Sequence, residues 1–88
     1  MKVVLSGTIQ KVADYQREYT VEGDTLGAAL DDLAAQAPRL RKAMYDDDGS
    51  VKGAHALFLN GTQIDSKDLG QVVQPWDEIE VITSIAGG

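Results

Sequence analysis

Gly23-Asp24-Thr25-Leu26-Gly27-Ala28-Ala29-Leu30-Asp31-Asp32-Leu33-Ala34 decides the fold, because here strand-like patterning gives way to helical spacing. Asp24 or Thr25 can accept hydrogen bonds from the free N–H groups at a helix start. Leu26, Ala29, Leu30, Leu33 and Ala34 then recur three and four residues apart, with Asp31, Asp32 and Gln36 off the stripe. The spacing predicts a helix from Leu26 to about Ala37, its apolar stripe laid on a sheet. Pro38 ends that helix and suits the first turn of another. Arg39 to Met44 therefore reads as a short second helix, with Leu40 and Met44 inward and Tyr45 covering the join.

On either side the period is that of strands. Lys2 to Ile9 is rich in Val, Leu and Ile, placing Val3 and Leu5 on one face and Val4 on the other. After a polar break, Gln16 to Glu22 gives a second strand with Tyr19 and Val21 inward, close enough to the first for a hairpin. Beyond the helices, Ala54 to Asn60 is a third strand with Leu57 and Leu59 inward and Phe58 outward, and Asn60-Gly61 signals a tight turn into a brief fourth strand at Gln63 and Ile64. Asp65 to Gln74 is irregular, anchored by Leu69, Val72 and Val73. Pro75-Trp76-Asp77 makes the final turn, with Trp76 expected to pack over the edge of the core, the lesser reading being that it anchors an interface. Glu78 to Ser84 alternates as the last strand, with Ile79, Val81 and Thr83 inward and Glu80, Ile82 and Ser84 outward. Two strands, a packed helix and a long return to further strands specify an α+β domain: a mixed sheet of four to five strands packed on one main helix plus a short one.

Eighty-eight residues suffice for one such domain, over 1–84, with a flexible tail at 85–88. The chain has no cysteine, so it offers no disulfide, thiolate ligand or thiol nucleophile. Fourteen acidic residues against eight basic ones give a net charge of −6, and no basic stripe breaks the acidity. Such a surface repels nucleic acid and anionic membranes and suits a basic groove on another protein. The N-terminus turns polar too soon for a signal peptide and no run reaches transmembrane length, so a cytoplasmic protein is expected. Asp46-Asp47-Asp48-Gly49-Ser50 lacks the alternating ligands and closing glutamate of a calcium loop and reads as a solvated turn. His55, the only histidine, has no nucleophile or second ligand beside it in sequence and reads as a strand-end surface residue.

The last four residues, Ile85-Ala86-Gly87-Gly88, follow the final strand directly. Two residues without Cβ can lie extended in a channel too narrow for ordinary side chains. The useful group at such an end is the carboxylate of Gly88, which is inert to nucleophiles until a leaving group is attached. Activation by an ATP-using partner, followed by acyl transfer to sulfur or nitrogen, is the chemistry such an end suits.

Asp24-Thr25-Leu26, Leu57-Phe58-Leu59-Asn60-Gly61, Asp77-Glu78-Ile79 and Ala86-Gly87-Gly88, in that order and in so short a chain, resemble the β-grasp sulfur carriers. That ubiquitin-like family includes the small subunit of molybdopterin synthase, the thiamine sulfur carrier and the cysteine-biosynthesis sulfur carrier. The likeness spans nearly the whole chain, and the insertion from Asp46 to Lys52 looks most like the cysteine-type branch. Two departures bear on the downstream partner: Trp76 stands where the family often has glycine, and Thr83-Ser84-Ile85 where many members have proline. The resemblance implies a ubiquitin-like β-grasp fold and a carrier rather than an enzyme, with no cofactor bound to the chain itself. A ubiquitin-activating-type adenylyltransferase would use ATP and Mg²⁺ to adenylate Gly88, and sulfide or a partner's persulfide would displace AMP to leave a thiocarboxylate. A sulfur-accepting biosynthetic enzyme would take the sulfur from there.

In that family's sheet the first and third strands flank the last, so Val4, Ile82 and Phe58 are expected to form an outward apolar row that docks partners beside the tail residues Ile85 and Ala86. Three rival readings share the sequence: a ubiquitin-like modifier joined through Gly88 to lysine amines, a non-covalent β-grasp module with an incidental diglycine, and a permanent small subunit of a sulfur-inserting enzyme.

Overall fold

A computed structural model of the chain describes residues 1–52 and 55–83. The elements run β1 (Lys2–Gly7), a 3-10 turn (Thr8–Lys11), β2 (Glu18–Thr20), α1 (Leu26–Gln36), α2 (Pro38–Met44), β3 (His55–Leu59), β4 (Thr62–Ile64) and β5 (Glu78–Thr83). They form one five-stranded sheet in the order β2-β1-β5-β3-β4. β1 pairs parallel with β5, and every other pair is antiparallel. The last strand is thus the central one.

The helix stripe lies where its spacing put it: Leu26, Ala29, Leu30, Leu33 and Ala34 are all buried. All but Ala34 meet Val3 and Leu5 of β1, Leu57 of β3 and Ile79 and Val81 of β5 in a single core, which Leu40 and Met44 of α2 extend. Each leucine fully withdrawn from water contributes roughly 1.5–3 kcal/mol. Of the two candidate caps it is Thr25 that acts, its Oγ1 accepting from Ala28 N at 3.2 Å. Two other free N–H groups of the first turn are also occupied: Leu26 N and Gly27 N donate to Gln71 O and Leu69 O, each at 2.8 Å. The irregular segment after β4 is therefore a lid on the positive end of α1. It approaches so closely that a Cβ on Gly27 would lie 3.1 Å from Leu69 O.

Some details depart from the sequence reading. β1 stops at Gly7, whose φ of +79° swings the chain out of the sheet, and Ile9 is buried from the 3-10 turn instead of from a strand. β2 is only three residues long, although Tyr19 and Val21 are buried as their parity requires. Leu69 is partly buried against the core and Val73 fully, but Val72 is 66% exposed, because adjacent extended residues point to opposite sides and Val73 holds the inward one. Trp76 does not cover the core edge: it is 78% exposed at the tip of the turn, while Asp77 occupies the buried position next to it.

A polar knot ties that turn to the β3–β4 hairpin. Asn60 and Gly61, at φ +51° and +85°, form the two-residue link that the Asn-Gly pair predicts. Asn60 Nδ2 donates to Asp77 Oδ1 and Asn60 Oδ1 accepts from Glu78 N, both at 2.9 Å, while Asp77 Oδ2 accepts from Gln74 N at 2.7 Å. These donors, the Asn60 amide first, hold the Asp77 carboxyl below its ordinary value of 3.8. A carboxyl with a depressed folded-state pKa adds stability above its unfolded value, and that stability disappears as pH falls through the folded one. Asp77→Asn is expected to be destabilised near neutral pH, with the gap to the parent closing as pH drops below about 3.8. Urea midpoints across that range check this; an equal gap at every pH would contradict the ionised role.

Candidate functional site

The tail residues Ile85, Ala86, Gly87 and Gly88 lie outside the described residues, as does Ser84. What is described is the root from which the tail departs, and it is held on three sides. Thr83, the last residue of β5, is buried; its carbonyl accepts from Thr8 Oγ1 at 3.2 Å, and Gly7 stands opposite it in the β1–β5 register. Its hydroxyl lies 2.5 Å from His55 Nδ1.

His55 is not the surface residue its position at a strand end suggested: it is 7% exposed, wedged between β5 and α2. Its Nε2 lies 2.8 Å from Ala43 O. A carbonyl only accepts, so Nε2 carries the proton and Nδ1 receives one from the Thr83 hydroxyl. The imidazole thereby joins the end of the central strand to the short helix, with a partner at each ring nitrogen. Sequence reasoning missed this clamp because a histidine's partners across a sheet follow from register, not from its neighbours in the chain.

The outer face of the sheet beside the root carries the candidate docking residues. Val4, Phe58 and Ile82 all point outward and are half-buried, as parity required. They do not make one row. Val4 and Phe58 both stand opposite Glu80, while Ile82 lies one pleat further on, between Ser6 and Ala56. Parity fixes a residue's face, but lateral partners depend on strand register, which shifts in steps of two. The surface is thus an apolar triangle around a carboxylate that accepts a 2.7 Å hydrogen bond from Ser6 Oγ. Lys2, at the far margin, sits 3.8 Å from Glu18 and 3.9 Å from Glu78. Those contacts are exposed and add little stability.

Two other places invite a chemical reading. The Asp46–Ser50 loop closes on itself, with Asp48 Oδ1 accepting from both the backbone N and the hydroxyl of Ser50, and among the described residues no group of three or more potential ligands gathers to hold a metal ion. The Tyr45 hydroxyl is buried without a hydrogen-bond partner among the described residues, and burial, reinforced by the charge of Asp31, pushes its pKa up to about 12.

The described residues thus place an anchored end of the central strand beside a half-apolar outer face. Residues 3–88 match the ThiS family. The chain belongs to the ThiS family. As a family member it is a ubiquitin-like β-grasp protein of the sulfur-carrier and modifier type, and solved structures agree on the fold. SAMP1 of Haloferax volcanii, a small archaeal modifier protein, is 29% identical with a TM-score of 0.82, the match covering 100% of this chain and 98% of that one. A chain of the Amycolatopsis orientalis BexX/CysO complex is 16% identical with a TM-score of 0.80 over 99% of this chain and 98% of that one. CysO of Mycobacterium tuberculosis is 20% identical with a TM-score of 0.79 over 96% and 98%. No curated protein matches the ThiS-family chain in sequence. Among its described residues no helix is long and apolar enough to cross a membrane.

Proposed function

We propose that this ThiS-family protein is a sulfur carrier whose Gly88 carboxylate becomes a thiocarboxylate. The observation that carries the reading is the diglycine end placed directly after the central strand, in a chain whose family match runs to Gly88. A carboxylate oxygen of Gly88 attacks the α-phosphorus of ATP, Mg²⁺-bound in a ubiquitin-activating-type adenylyltransferase, and pyrophosphate leaves. Hydrosulfide then attacks the acyl carbon, the bond to AMP breaks, and the terminus leaves as a thiocarboxylate. A sulfur-accepting biosynthetic enzyme consumes it. The carrier supplies the acyl group and a docking face around Val4, Phe58 and Ile82, while the partners supply the catalytic side chains, which makes it a co-substrate rather than an enzyme. Its place of work is the cytoplasm, where ATP and such enzymes meet.

A second reading, a protein modifier joined through Gly88 to lysine amines, is favoured by the 29% identity to a small archaeal modifier protein. Both readings share the acyl-adenylate. ATP–pyrophosphate exchange by an activating enzyme should require the full chain and vanish when Gly88 is deleted. Exchange that persists without Gly88 would leave the diglycine incidental and favour a non-covalent module.

A further inference from the structure

We infer that the end of the sheet where β5 begins is a second docking site, and that it takes an arginine-bearing segment of a partner protein against Trp76. This goes beyond the carrier chemistry and does not depend on it.

Trp76 is 78% exposed, yet the turn that presents it is fixed on both sides, by Pro75 before it and by the hydrogen-bonded Asp77 after it. A large aromatic ring on a rigid support binds with little loss of its own freedom, and tryptophan is enriched among residues that anchor interfaces. Two grooves of about 530 and 330 Å³ adjoin here, sharing Met1, Thr20 and Pro75 as lining. The first also holds Trp76, Asp77 and Glu78, and the second Glu22 and Asp24. Four carboxylates line the grooves with Lys2 and Met1; Asp77 is taken up by Asn60 and Gln74 and Glu78 is shared with Lys2, which leaves the exposed Glu22 and Asp24 to meet an occupant. An occupant of complementary charge is cationic. A guanidinium fits better than an ammonium, since its plane can stack on the indole while its edge donates to a carboxylate.

The location supports simultaneous engagement of the two ends. Lys2 pairs with Thr20 and with Glu78, so the grooves flank the start of β5, whereas Thr83 lies at its end. Six residues of strand put these ends roughly 17 Å apart. A partner seated at Trp76 therefore lies a strand's length from Thr83.

Trp76 is the chain's only tryptophan, so its emission reports this site alone. Titrating the full chain with a capped pentapeptide carrying two arginines should give a saturable emission change, about two- to fivefold tighter than for the two-lysine peptide. The two-glutamate peptide should give none. Glu22→Gln combined with Asp24→Asn, both at exposed side chains, should weaken the arginine peptide about two- to tenfold with Tm unchanged. A non-saturating response to the arginine peptide would overturn the inference, as would an equal loss on neutralising Asp46 and Asp47 at the distant loop.

Discussion

Gly7→Ala should destabilise the domain by about 3–5 kcal/mol, a large part of the ~5–15 kcal/mol that holds a domain together. Two costs combine. Gly7 has φ +79° and ψ −152°, a region open essentially to glycine alone and costing other residues about 1–3 kcal/mol. An added Cβ would also lie 2.1 Å from the carbonyl oxygen of Thr83, and that oxygen belongs to backbone, not to a side chain that could swing away. Relief requires separating β1 from β5 where Gly7 pairs with Thr83, at the base of the tail. Gly49 supplies the control: its φ is +86° but nothing lies within 4 Å of a Cβ there. Gly49→Ala should therefore cost only the ~1–2 kcal/mol of the left-handed backbone. Urea unfolding of both variants measures the difference, and equal losses would mean that the contact between β1 and the tail root is looser than described.

Gly87→Val should leave stability unchanged and lower the rate of Gly88 activation at least about 100-fold. Among the described residues the core runs from Val3 to Val81, so the unfolding curve is expected to match the parent's. Activation, in contrast, requires the terminal carboxylate to reach the α-phosphorus in line, and a displacement near 1 Å can cost about two orders of magnitude. A β-branched side chain next to the terminus both fills a narrow channel and restricts the backbone that glycine leaves free. Single-turnover adenylation with saturating activating enzyme measures the effect. An unchanged rate would show that the partner's channel has room to spare, and the diglycine would lose its steric rationale.

The parts of this molecule that were legible in sequence are those governed by local period. The helix stripe from Leu26 to Ala34, the inward sets Val3/Leu5 and Ile79/Val81/Thr83, and the Asn60-Gly61 turn all follow from residues within a few positions of each other. What escaped depends on long-range register. His55 is buried because Thr83 and Ala43 stand beside it, 28 and 12 residues away. The interruption of the Val4–Ile82–Phe58 row by Glu80 is likewise set by how β1 and β3 slide against β5. Trp76 misled for a different reason: a tryptophan beside a strand is expected to seek the core, but the Asn60–Asp77 knot already closes that corner with polar atoms. The anchoring of Thr83 by Gly7, Thr8 and His55 likewise left no local signature.

The intact mass of the full chain, after incubation with ATP, sulfide and an activating enzyme proven on another carrier, tests the sulfur-carrier role most directly. Replacement of one terminal oxygen by sulfur is expected, with no change in a chain lacking Gly88. An unchanged mass in the full chain, with the enzyme shown to be active, would contradict the carrier role.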